Sequence, residues 1–174
     1  MLLEKEPRID EAREMMTREV IIRKARKKDI PLIAELWKEL MDFNKQYDGH
    51  WSRSENGHQS CADFINDHIA DDASCILVAE ADKHIVGYCL SDICKCDPQL
   101  LKVKEYGQIS NLAVTKNYRR KGIGERLLRK TVNWFSKKGI HRIEVYVGIS
   151  NKSARKFWTK VGFTPFVENM FLEI

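Results

Sequence analysis

Residues 117–124, NYRRKGIG, crowd two arginines, a lysine and two glycines directly ahead of an amphipathic run. Glycine lets a backbone come close to a ligand, and the first turn of a helix carries N–H groups with no partner inside the helix. Those N–H groups and the positive end of the helix dipole form a cradle for a phosphate. Arg119, Arg120 and Lys121 would add charge-assisted hydrogen bonds to the same anion. A mononucleotide P-loop needs a Gly-Lys-Ser/Thr ending, which is absent. A dinucleotide fingerprint belongs to an early strand–turn–helix unit, whereas this turn comes late, after strands that read as antiparallel. The segment from Arg119 through Gly122, Ile123 and Gly124 is therefore read as a pyrophosphate-binding turn.

Such a turn works only if a strand delivers it and a helix leaves it. YGQISNLAV (106–114) supplies the strand. Ile123, Leu127, Leu128, Thr131, Trp134 and Phe135 supply a helical stripe, which closes on Lys137, Lys138 and Gly139. Upstream, VIIRKA (20–25) reads as a strand. Asp29 is placed to cap a helix with Pro31 in its first turn and Leu32, Ile33, Leu36, Trp37, Leu40 and Met41 at helical spacing. Residues 42–60 read as a long polar loop, followed by a short helix with Phe64, Ile65 and Ile69. Residues 74–93 read as a hairpin turning at Ala81–His84, and a loop around Pro98 leads on to 106. Downstream, HRIEVYVG alternates as a strand, a helix carries Ala154, Phe157, Trp158 and Val161, and FTPFVENMFLEI provides a closing strand. The expected order is β-α-α-β-β-β-α-β-α-β.

At 174 residues, 43% hydrophobic and 32% charged, the chain has the composition of one globular domain, here set at 20–174, with 1–19 as a frayed extension. No apolar run approaches the roughly 20 residues that span a bilayer, and the charged start lacks the apolar centre of a signal peptide. A cytoplasmic protein without membrane partners is expected. Five cysteines, an odd number, point to reduced thiols, and Cys94-Lys95-Cys96 lacks the companion ligands of a zinc site, so no metal is expected. The net charge of +5 is concentrated between Lys116 and Arg142, where Glu125 is the one acid. That stretch attracts anions. Nucleic acid is the weaker reading, because no stacking aromatics are interleaved there and the glycines would go unexplained.

ISNLAVTKNYRRKGIGERLL (109–128) followed by NKSARKFWTKVGF (151–163) resembles the GNAT superfamily of acetyl-CoA-dependent N-acetyltransferases. The resemblance covers about residues 20–174. It implies a single-domain α/β (α+β) fold with a mixed central sheet, antiparallel N-terminal strands and a splayed parallel pair, flanked by helices. It also implies acetyl-CoA as co-substrate, held by its pyrophosphate at Arg119, Gly122 and Gly124 and by its pantetheine arm along Leu112, Ala113 and Val114. Asn151 falls at the family's cofactor-proximal Asn, with Ala154 at the matching place in the following helix. The implied activity is direct transfer of acetyl to a primary amine in a ternary complex. A CoA-binding module without turnover is the alternative.

Acyl transfer to an amine asks for a deprotonated amine, a stabilised oxyanion and a tolerated thiolate. Many family members carry an acid on the strand before the phosphate turn. Here that strand offers Gln108, Ser110 and Asn111, which can orient an amine or a water but hold no charge. Glu105 reads as a solvated strand-end charge. The family's usual acid, a Tyr, is replaced by Trp158, whose indole suits packing against the core or the cofactor arm. Tyr146 on the adjacent strand is the substitute candidate, and the Val114 N–H would face the oxyanion. Asp42, Tyr47, Asp48, His50, Trp51, Glu55 and His58 form an acidic and aromatic roof for a cationic acceptor. NMFLEI is explained more simply by a final core strand than by a homodimer contact.

Overall fold

A computed structural model of the chain describes residues 19–47, 49, 52–96 and 103–172. The readings placed on residues 1–18, on Asp48, His50 and Trp51, and on Pro98 lie outside the described residues. Branched residues open strand β1 (Val20–Lys24), and Pro31 starts helix α1 (Ile30–Asn44). Helix α2 (Gly57–His68) follows. Strands β2 (Ser74–Ala81) and β3 (His84–Lys95) form the expected hairpin, with Asp82 and Lys83 both at positive φ in the tight turn. Strand β4 (Glu105–Val114), helix α3 (Ile123–Lys137), strand β5 (Ile143–Val145) and helix α4 (Lys152–Lys160) complete the described elements.

The five strands lie side by side in chain order, with β1 to β4 antiparallel and β4–β5 parallel. The mixed sheet expected from the resemblance is present. Its two faces carry separate cores. Ile123, Leu127, Leu128 and Phe135 of α3, with Trp158 of α4, pack on Leu77, Ala79, Cys89 and Ile109. Ile33 and Leu36 of α1 and Ile65 of α2 pack on Ile76, Val78, Tyr88 and Leu90. At Gly107 a Cβ would stand 2.6 Å from the Phe135 ring, so only glycine lets α3 lie this close to β4.

Part of the basic stretch is structural. Arg126 donates to the Val20 carbonyl at 2.6 Å and Lys130 to the Ile22 carbonyl, so two cations of α3 cover the open edge of β1. Four expectations need correction. Asp29 makes no side-chain cap to α1; it accepts from the Arg26 N–H and receives both ends of the Arg23 guanidinium, which lowers its pKa. The loop expected at 42–60 is shorter, because α1 runs to Asn44 and α2 begins at Gly57. The strand expected over HRIEVYVG contracts to Ile143–Val145, which leaves Tyr146 beyond it and 72% exposed. The closing strand is missing from the described residues 163–172, where Phe166, Val167, Met170, Phe171 and Leu172 are all exposed. Apolar alternation makes a strand only where a partner edge exists, and β5 offers three residues of edge.

Candidate functional site

Strand β4 changes neighbours along its length. Gly107, Gln108 and Ile109 pair with Ile143, Glu144 and Val145 of β5, and beyond Ile109 no described strand lies on that side. On the other side β3 accompanies β4 to Val114, but the register slips so that Leu90 opposes Asn111 while Ser91 opposes Ile109. Ser110 is the extra residue of this β-bulge. The stretch from Ser110 to Val114, which contains Leu112 and Ala113, thus has one open edge. An extended chain rich in amides can add to such an edge as a strand would.

The open edge leads into the glycine turn. Arg120 has φ +62° and Gly122 φ +75°, which brings the chain round to start α3. The first helical bond runs from the Arg126 N–H to the Gly122 carbonyl, so the N–H groups of Ile123, Gly124 and Glu125 precede it. The Ile123 side chain is buried and fixes this start in the core. A Cβ at Gly124 would meet Leu112 and Phe157 at an ordinary 3.5 Å. The protein's own packing therefore does not demand glycine there. Glu125, the acid nearest this helix end, is held by Lys160 at 2.6 Å, which lowers its pKa and offsets its charge.

The cations of the turn are arranged differently from the expectation. Arg119 turns back, its Nε donating to the Val114 carbonyl at 2.8 Å and its guanidinium lying over the Phe43 ring. The end of β4 needs a donor, and Arg119 supplies it through Nε, which braces the turn. The Lys121 ammonium lies over the Tyr118 ring, and Arg120 is exposed. Asn151 is buried and caps α4 by accepting from the Ala154 N–H at 3.0 Å. Trp158 is buried edge-on between Phe157 and Phe163.

On the opposite face of the sheet, against β3 and β4, a pocket of about 480 Å³ opens between α1 and α2. Trp37, Met41 and Phe64 form apolar walls, and Leu90, Ser110 and Asn111 form the sheet side. Of the expected roof, Asp42 lies in α1 and pairs with Arg53, and His58 lies in α2 with its Nε2 3.0 Å from Glu35. Gln108 is buried, and its amide nitrogen donates to the Ile109 carbonyl at 3.3 Å. A carboxylate stands on the next strand: Asp92 of β3 accepts from Ser74 Oγ at 2.7 Å and from Ser110 Oγ at 3.3 Å. The sequence reading missed Asp92, although a lone acid inside the apolar run CLSDIC is a visible signal.

Burial pushes the thiols of Cys61 and Cys75 up to about 11 and that of Cys89 to about 12. None of the three is poised as a thiolate nucleophile. Among the described residues no cluster of His, Cys, Asp and Glu could hold a metal ion, and no helix is long and apolar enough to cross a membrane.

An open strand edge running into a glycine turn at a helix N-terminus, with a pocket on the other face, defines an acyltransferase-type fold. The sequence profile of the acetyltransferase (GNAT) family matches residues 33–163, and the chain belongs to that family. It is 33% identical over 89 residues to the putative [ribosomal protein bS18]-alanine N-acetyltransferase of Bacillus subtilis, a match covering 51% of this chain and 53% of that protein. It is 33% identical over 108 residues to an N-alpha-acetyltransferase of Sulfurisphaera tokodaii, covering 58% and 62%. The chain thus spans about half the length of the first of these relatives. Its fold is similar to that of a predicted acetyltransferase of Clostridium acetobutylicum crystallised with acetyl-CoA, with a TM-score of 0.74, 22% identity, and coverage of 89% of this chain and 96% of that one.

Proposed function

We propose that the chain transfers the acetyl group of acetyl-CoA directly to a primary amine in a ternary complex, and that the acceptor is the α-amine of a peptide or protein. One observation carries this reading: β4 is open along one edge from Ser110 to Val114, ends in the glycine turn, and at its bulge lines a pocket on the opposite face. Two substrates could thus meet at one strand from two sides. The N–H groups of Ile123, Gly124 and Glu125 would hold the pyrophosphate, with Arg120 and Lys121 beside them, while the edge at Leu112, Ala113 and Val114 would pair with the pantetheine. Bound acetyl-CoA supplies a thioester carbonyl and a thiol leaving group. Asn111 and Gln108 would orient the amine, and the Trp37 and Phe64 walls would exclude water from it. The names of the Bacillus and Sulfurisphaera relatives support a protein N-terminus as acceptor.

The test is incubation of the purified protein with acetyl-CoA and a set of unblocked peptides, polyamines and aminoglycosides, read by thiol release and product mass. Acetylation confined to peptide α-amines is expected. Turnover of the other amines alone would overturn the acceptor. Saturable acetyl-CoA binding with no turnover of any amine would leave a CoA-binding module.

A further inference from the structure

Alternation along β3 puts Leu90 and Asp92 on the face that carries α1 and α2. Directly across from Asp92 stands Gln108 on β4, and across from Gln108 stands Glu144 on β5. A row of carboxylate, amide and carboxylate thus crosses the sheet beside the pocket. The two acids are not equivalent. Glu144 is paired with Arg142 at 2.5 Å, whereas among the described residues no cation pairs with Asp92. Asp92 is held by two hydroxyls: Ser74, itself buried, fixes Oδ1 at 2.7 Å, and Ser110 reaches Oδ2 at 3.3 Å. The bulge exposes Ser110 and makes it a pocket wall, so its hydroxyl has the carboxylate on one side and the acceptor space on the other.

A second feature of the row points to what it receives. Gln108 is 8% exposed, its nitrogen is engaged by the Ile109 carbonyl, and its Oε1 is buried without any donor. A carboxylate with no cation beside it and a buried oxygen with no donor call for a basic N–H donor, which an amine is.

Resting on the transfer reading above, we infer that Asp92, acting through the Ser110 hydroxyl, takes the proton released by the acceptor amine. As the nitrogen bonds to the thioester carbonyl carbon, the C–S bond breaks and CoA leaves as thiolate. The nitrogen gives its proton to the Ser110 oxygen while the Ser110 proton passes to Asp92 Oδ2. The Asp92 acid then returns that proton, through solvent, to the thiolate, so that amine and thioester become amide and thiol. A carboxylate is a weak base. It suits an α-amine, with a pKa of roughly 7.7–8.0 and a neutral fraction already present at pH 7, better than a lysine amine near ~10.4. The titratable groups that interact with Asp92 are Cys75 from β2 and Cys94 on β3; the Glu144–Arg142 pair stands two strands away, and Arg53, held by Asp42, lines the pocket on the helix side.

Asp92→Asn, Asp92→Glu and Ser110→Ala decide this, with kcat/KM for an unblocked peptide followed across pH and calorimetric titration of peptide and acetyl-CoA separately. Asp92→Asn is expected to lower kcat/KM by about 10²–10³-fold at pH 7, a deficit that persists as pH rises, because the neutral amine still has to shed a proton as it attacks. It also weakens peptide binding by about tenfold while acetyl-CoA affinity holds. Asp92→Glu recovers part of the rate, and Ser110→Ala loses about tenfold. A rate for Asp92→Asn within about threefold of the parent overturns the inference, as does a deficit that vanishes once the pH is high enough to leave the amine neutral. If Asp92→Asn does not fold, an unchanged rate for the exposed Ser110→Ala overturns it instead. A parent protein with no turnover of any amine removes the transfer reading and this inference together. Parent turnover with an unaffected Asp92→Asn removes the inference alone.

Discussion

The two sides of β4 are built from different materials. Toward α3 the proposed site is main chain: an open strand edge, a turn and helix N–H groups, all contributed by the single segment 110–125. Toward α1 and α2 the proposed site is side chains: Trp37 and Phe64 of the two helices line the pocket, and Asp92, Gln108 and Glu144 form a row across three strands. A backbone site depends on where glycine is allowed and where a helix starts. A side-chain site depends on register, where a one-residue slip turns every group to the other face.

Variants on the two sides should therefore separate two affinities. Gly124→Glu places a negative side chain among the N–H groups of the turn and is expected to weaken acetyl-CoA binding by at least about 100-fold by calorimetry, with the fold retained. Equal binding would break the assignment of the turn. At the foot of α1, Asp29→Asn is expected to cost about 2 kcal/mol at pH 7 in denaturant unfolding. Arg23 holds the folded Asp29 below its ordinary 3.8, so this contribution is complete above that value and fades as pH falls through the lower folded pKa. Parent and variant stabilities should therefore converge in acid, and a gap that persists at low pH would assign the loss to packing. Trp37→Ala is expected to raise the peptide KM by about tenfold and leave acetyl-CoA affinity alone; a matching fall in acetyl-CoA affinity would mean that the two sides are not independent. Gly122→Ala meets no atom within 4 Å, so only its φ of +75° opposes it, and about 1 kcal/mol of stability should be lost. Tyr146→Phe removes a hydroxyl from a side chain that is 72% exposed, and its kcat should stay within about twofold. A collapse of kcat without unfolding would restore Tyr146 as the acid of the reaction.

The fold was legible wherever a local pattern met a partner. The hairpin over 74–93 and the helices from Ile30, Ile123 and Lys152 follow from periodicity, proline and glycine, and each packs as its stripe demands. The strand read into FTPFVENMFLEI had the pattern but, within the described residues, only the three-residue edge of β5 to join. HRIEVYVG kept only the three residues that face β4. Asp29 had the residue type and place of a cap, yet Arg23 and the Arg26 N–H outcompeted the helix for its oxygens. Asp92 is not legible as a neighbour of Gln108 and Ser110, because residues that meet across a sheet are remote in the chain.

By itself the sequence determined the family, the glycine turn, the helix that leaves it and the strand that feeds it, because these are contiguous and rest on local backbone preferences. Only the tertiary structure decided which way Arg119 turned, that β4 bulges at Ser110, and that Asp92, Gln108 and Glu144 stand in one row. Those outcomes are fixed by strand register and by competition for hydrogen-bond partners, which act between residues far apart in the chain.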